Sequence, residues 1–189
     1  MKQSAIVYLL FAISLIGCRS TRDEDNRPVA ADAKHLSISV PAGSLHFTVP
    51  SGWHIRTQPF PAYRTSFAYS LTRNGTFREP FLDICLNSAG QTNSTTREGL
   101  HDTYISMLRF NFQKTAQKRG GSVLLQSGEM VKCYEYYYEN PGYGAHYELV
   151  AFLPRREFTV RVSLLSYNAD GLDHERRAFE SVLRSCALE

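Results

Sequence analysis

The sequence predicts an α+β domain in which an antiparallel sheet is packed by two main helices. Three observations carry this. Short runs alternate apolar and polar residues with period two. After residue 120 several such runs follow one another, separated by glycine- or proline-bearing turns. Two other stretches repeat apolar residues every three or four positions, the spacing of one helix face.

Taken in order, Leu36-Ser37-Ile38-Ser39-Val40 and Leu45-His46-Phe47-Thr48-Val49 predict two strands. Pro41-Ala42-Gly43-Ser44 joins them as a hairpin. Pro50-Ser51-Gly52 then makes a bend that delivers Trp53, the only tryptophan. Residues 66–72 and 81–87 predict further strands, with a turn at Asn74-Gly75. Thr96 to Arg119 predicts a helix capped by Thr96, with Leu100, Tyr104, Leu108 and Phe112 on one face and Gly120-Gly121 at its exit.

Strands follow in 122–127, 129–139, 145–153 and 157–167, turning at Ser127-Gly128, Pro141-Gly142 and Pro154-Arg155-Arg156. In the last of them Phe158, Val160, Val162 and Leu164 alternate with Thr159, Arg161 and Ser163, which predicts one buried face and one partly wet face. A closing helix near Leu172 to Leu188 carries Ala178, Phe179, Val182, Leu183 and Cys186 as its apolar stripe.

The first 17 residues read as a targeting segment. Lys2 precedes an uncharged stretch from Ala5 to Gly17, too short for a spanning helix and of the length of a signal-peptide core. Its end, Leu15-Ile16-Gly17-Cys18, resembles the bacterial lipobox. That resemblance implies cleavage before Cys18 and acylation of Cys18, so that lipid anchors the chain to a membrane. A general secretory signal that happens to contain a cysteine is the alternative. Arg19 in place of aspartate implies sorting to the outer membrane, facing the periplasm. Residues 18–35 then form a flexible tether, reaching about 60 Å when extended and roughly 20–25 Å on average. Residues 36–189 form a single domain.

Composition narrows the partners. Once Lys2 is removed, twenty basic and eighteen acidic residues remain with no polybasic block, so nucleic acid is not an implied partner. With Cys18 lipidated, Cys85, Cys133 and Cys186 are candidates for one disulfide with one thiol left over. Three small buried thiols are the other reading. Their spacing matches no zinc pattern, the six histidines form no HExxH pair, and there is neither a GxSxG elbow nor a phosphate loop. Asn168-Ala169-Asp170-Gly171 reads as a turn and helix cap, not a calcium loop. The residues therefore point to no metal, no cofactor and no enzyme, an envelope hydrolase being the alternative, and they fix no oligomeric state.

The tyrosine tract of residues 133–152 is the candidate interface. Tyr134, Tyr136 and Tyr138 share one strand face, with Cys133, Glu135 and Tyr137 on the other, and Tyr143 and Tyr147 continue the tract across the turn. Tyrosine combines rigid apolar area with a polar tip and is enriched in interface cores. It also has high strand propensity, which alone accounts for such a run. Glu135, if buried, needs a cation, for which Arg161 on a neighbouring strand is the candidate.

The order of elements, with Phe47 to Trp53 ending a strand in Pro-x-x-Trp and Phe179, Val182, Leu183 and Ser185 on a terminal helix, resembles the PsbP-like α/β sandwich. That superfamily includes the DcrB-like bacterial lipoproteins. The resemblance implies an accessory, assembly or binding role without shared catalytic residues. The expectation is a non-enzymatic lipoprotein whose surface around Trp53 and the tyrosines meets a periplasmic protein. A carrier of a small apolar ligand, or an immunity protein against a periplasm-directed toxin, are the alternatives.

Overall fold

The computed structural model describes residues 35–40, 43–57, 66–73, 80–88, 96–155 and 158–189. Cys18, the targeting segment, the tether up to residue 34 and the Asn74-Gly75 turn lie outside the described residues. His35, placed at the end of the tether by sequence, is the first residue of a strand.

The expected α+β architecture is present. A seven-stranded antiparallel sheet has the order β3-β4-β5-β9-β8-β7-β6, formed by His54–Thr57, Ser66–Thr72, Phe81–Ser88, Phe158–Ser166, Gly144–Pro154, Met130–Asn140 and Gln113–Leu124. A smaller sheet pairs β1 (His35–Val40) and β10 (Ala187–Leu188) on either side of β2 (Gly43–Thr48). Helix α1 spans Arg97–Asn111 and α2 spans Ala169–Ser185.

Each face of the large sheet has its own core. On one, Leu82, Ile84, Val131, Leu149, Val160 and Val162 pack with Phe179, Val182 and Leu183 of α2 and with Leu45 and Phe47 of the small sheet. On the other, α1 sets Leu100, Tyr104, Ile105, Met107 and Leu108 against Tyr134, Tyr136, Tyr138, Val150 and Phe152. The face of β9 expected to be partly wet is therefore closed: Thr159, Arg161 and Ser163 are all buried. Alternation separates two faces, but it does not reveal that a helix lies over each.

The first helix is shorter than its sequence pattern. Thr96 caps it as expected, accepting a hydrogen bond from the Gly99 N–H at 3.2 Å. Phe112, however, is extended, and its N–H closes the last turn on the Leu108 carbonyl at 2.8 Å. Beyond it, residues 113–121 hold no large apolar side chain to extend the buried stripe. They become β6, whose backbone pairs with β7. Register breaks between Gln113 and Ala116 and between Arg119 and Ser122 kink this edge strand, and Lys114 and Lys118 project from it into solvent. Gly120-Gly121, read as a helix exit, belongs to the second break, where a Cβ on Gly120 would meet the Leu149 side chain at 2.7 Å.

The closing helix starts earlier and ends sooner than its stripe. Asn168 caps it, accepting from the Gly171 N–H at 2.5 Å. Residues 187–188 leave the helix to pair with β2. There the Ser44 N–H donates to the Glu189 carbonyl at 2.7 Å. Gly43, at φ +133°, permits this approach, since a Cβ would stand 1.8 Å from the same oxygen.

Candidate functional site

The structure divides the candidate interface. Tyr134, Tyr136 and Tyr138 are buried beneath α1, and Trp53 is buried in the core on the α2 side, its backbone N–H bonded to the Pro50 carbonyl at 3.0 Å. These four are interior and present no exposed surface. The reason is packing: the three tyrosines occupy the strand face that α1 covers, and their rings supply its apolar floor. His101 of α1 lies flat on Tyr134, centroids 3.9 Å apart, and its Nδ1 is 2.5 Å from the Tyr136 hydroxyl. Phe112 stacks on Tyr138 at 4.6 Å. Burial holds the His101 imidazole below its usual pKa and pushes the Tyr136 and Tyr138 phenols up.

Only the far end of the tract faces outward. Tyr143, in the turn between β7 and β8, is 52 % exposed. Tyr147 is half-buried and pairs with Tyr137 at 5.2 Å. These two rings line a cavity of about 300 Å³ between the first turn of α2 (Ala169, Leu172, Asp173) and edge strand β6. Glu135 and Lys118 also line it. The Tyr137 hydroxyl donates to Glu139 at 2.6 Å, fixing its ring. Glu135 takes Arg176 of α2 as its ion-pair partner, with Lys118 at 3.7 Å. The expected pairing with Arg161 does not form, because strand alternation puts Arg161 on the opposite face.

Arg161 instead anchors a polar cluster beside α1 that composition and motifs did not disclose. It is 8 % exposed. One guanidinium nitrogen donates to the Cys85 sulfur at 3.2 Å, its carbon lies 5.4 Å from the centre of the Tyr104 ring, and its Nε–H has no partner among the described residues. Burial works against its charge, but Cys85, Tyr104, Glu148 and Asp83 outweigh that and hold it protonated. Glu148, 3 % exposed, receives the Tyr104 hydroxyl at 2.9 and 2.8 Å from its two oxygens and is also bonded by Ser163. Asp83, half-buried, accepts from the Ser70 hydroxyl. Burial raises both acids, Glu148 to about 7, against the pull of Arg161 and the hydroxyl bonds. The sequence signal was the single Asp, Glu, Lys or Arg inside each of three strands: Asp83, Glu148 and Arg161.

The three cysteines are free thiols, so none of the candidate disulfides is present. Cys133 and Cys186 sit in the core on the α2 side, where burial pushes both up to about 12. Cys85 lies on the other face, its thiol raised by burial against the attraction of Arg161. Among the described residues no group of three or more His, Cys, Asp or Glu is arranged to hold a metal ion, and no helix is long and apolar enough to cross a membrane.

No protein-family model matches the chain, and no curated protein matches it. Solved structures do. The solution structure of the cyanobacterial PsbP protein CyanoP from Synechocystis superposes with a TM-score of 0.56 at 14% identity, covering 89% of this chain and 100% of that one. The fold is PsbP-like. A glutamate-to-alanine mutant of the protein Mog1 also matches, at a TM-score of 0.49 and 12% identity, over 82% of this chain and 96% of that one. At such identities the PsbP-like likeness concerns backbone architecture alone.

Proposed function

We propose that the chain is a non-catalytic binding module, held on the bacterial envelope by lipid at Cys18, that receives a side chain of a periplasmic protein in the Tyr137–Tyr147 cavity. The observation that carries the binding half is this cavity: two tyrosine rings and Leu172 supply apolar walls, while Glu135, Asp173 and Lys118 supply polar contacts. Tyr143, exposed on the hairpin that carries both rings, extends the contact surface. The anchoring half rests on Leu15-Ile16-Gly17-Cys18 and the charged run that follows it.

Two measurements test it. Labelled palmitate enters the wild-type chain and not Cys18→Ser; equal labelling of both defeats the anchor. A photo-reactive amino acid at position 143 cross-links one envelope protein, and Tyr137→Ala with Tyr147→Ala reduces that cross-link at least tenfold. An undiminished cross-link removes the cavity from the interface. A volume of about 300 Å³ also lies at the lower bound of small-molecule sites. A co-purifying small molecule in native mass spectra, lost in the double variant, would favour the ligand-carrier reading instead.

A further inference from the structure

Glu148 is the polar contact at the centre of the interface between α1 and the sheet. Tyr104 comes from the middle of α1, and its single phenolic oxygen lies within hydrogen-bond distance of both carboxyl oxygens. A phenol carries one proton. It can serve both oxygens in full only if the acid is protonated, donating to one oxygen while accepting from the other. An ionised Glu148 receives one such bond, and the charge of Arg161 and the Ser163 hydroxyl offset only part of the cost of burying it. Ser163 of β9 supplies a hydroxyl. Arg161, also from β9, faces it as a cation but makes no ion pair with it, its guanidinium being bonded to Cys85.

The remaining groups that face Glu148 do not stabilise its charge. Asp83 of β5 opposes ionisation, and Tyr136 and Tyr138 of β7 are buried phenols whose own ionisation Glu148 opposes. His146, two residues away on β8, is stacked on Tyr138. His101 of α1 is held against Tyr134 and Tyr136.

We propose that α1 is a proton-sensitive cover, closed over the tyrosine floor while Glu148 is protonated and loosened when that proton leaves.

The sign follows from linkage. In the closed state burial puts the Glu148 pKa at about 7, whereas opening of α1 returns the carboxyl to water and to its ordinary value of 4.5. Below 4.5 both states hold the proton and opening does not depend on pH. From 4.5 to about 7 the open state has lost a proton that the closed state keeps, so opening grows up to tenfold per pH unit and levels off above. His101 acts in the opposite sense. Its lowered pKa lets acid favour opening below about 6.5, so a variant must isolate the Glu148 contribution.

Amide hydrogen exchange of the full chain between pH 5 and 8, corrected for intrinsic rates, tests this. The ratio of α1 opening constants, wild type over Glu148→Gln, should rise roughly fifty- to a hundredfold across that range. The same ratio for amides of α2 should stay constant. A flat α1 ratio, or α1 and α2 rising together as in global unfolding, overturns the proposal. Should Glu148→Gln fail to fold, His101→Gln decides instead: with the opposing imidazole gone, α1 opening must climb relative to α2 between pH 5 and 8, and parallel traces overturn it.

Discussion

The two faces of the seven-stranded sheet are built on opposite principles. Under α2 the centre of the contact is apolar, with Phe179, Val182 and Leu183 fully buried against strand valines, leucines and isoleucines, while ion pairs such as Glu135 with Arg176 lie around it. Under α1 the floor is tyrosine, and beside it lie two acids, an arginine and a thiol. The first face is held by the removal of apolar surface from water, which protons do not alter. The second is held partly by hydrogen bonds whose donors and acceptors change with protonation. One sheet thus carries a side held mainly by apolar packing and a side whose central contacts change with protonation.

Graded substitutions can break or sharpen this contrast. Phe179→Ala should cost about 3–5 kcal/mol in urea unfolding, since it empties the centre of the α2 face. A loss no greater than that of a single hydrogen bond would mean this face is not the main store of stability. Tyr104→Phe keeps the ring and deletes the hydroxyl that serves Glu148, and should cost about 1–3 kcal/mol in the same measurement. An unchanged midpoint would show that the polar cluster satisfies itself without α1. Tyr143→Ala, on the exposed turn, should shift stability by no more than about 0.5 kcal/mol. A larger loss would place that ring among the structural tyrosines and weaken its assignment to a surface.

How much of this was legible in sequence depended on range. The Thr96 cap, the Pro141-Gly142 turn and the Trp53 corner rest on contacts a few residues apart, and the strands 66–72 and 81–87 show in their own composition and flanking turns, so local pattern identified them. Residues 113–119 read as helix because basic residues followed by Gly120-Gly121 look like a helix exit; pairing with β7, a tertiary contact, overrode that local signal. The alternation of Tyr134, Tyr136 and Tyr138 correctly assigned them one face, yet nothing local said that α1 would cover it. The pairing of Glu135 with Arg176, and the meeting of Arg161 with Cys85 and of Tyr104 with Glu148, depend on strand register and helix placement across tens of residues. The tyrosine cavity was half legible: Tyr137 and Tyr147 both belong to the tract and pair across the β7–β8 hairpin, but Leu172 joins them only when α2 docks.

The two register breaks in β6 bear on what happens when copies of the chain crowd together. A sheet edge exposes unpaired backbone groups that a second molecule can copy, the first step toward fibrous or amorphous self-association. Between its breaks β6 offers only the stretch from Ala116 to Arg119 in unbroken register. Lys118 projects from within it and Lys114 from just before it, so a like strand arriving antiparallel would bring lysines against lysines. The irregular edge therefore acts as a safeguard of solubility, favouring encounters through side chains over the merging of sheets.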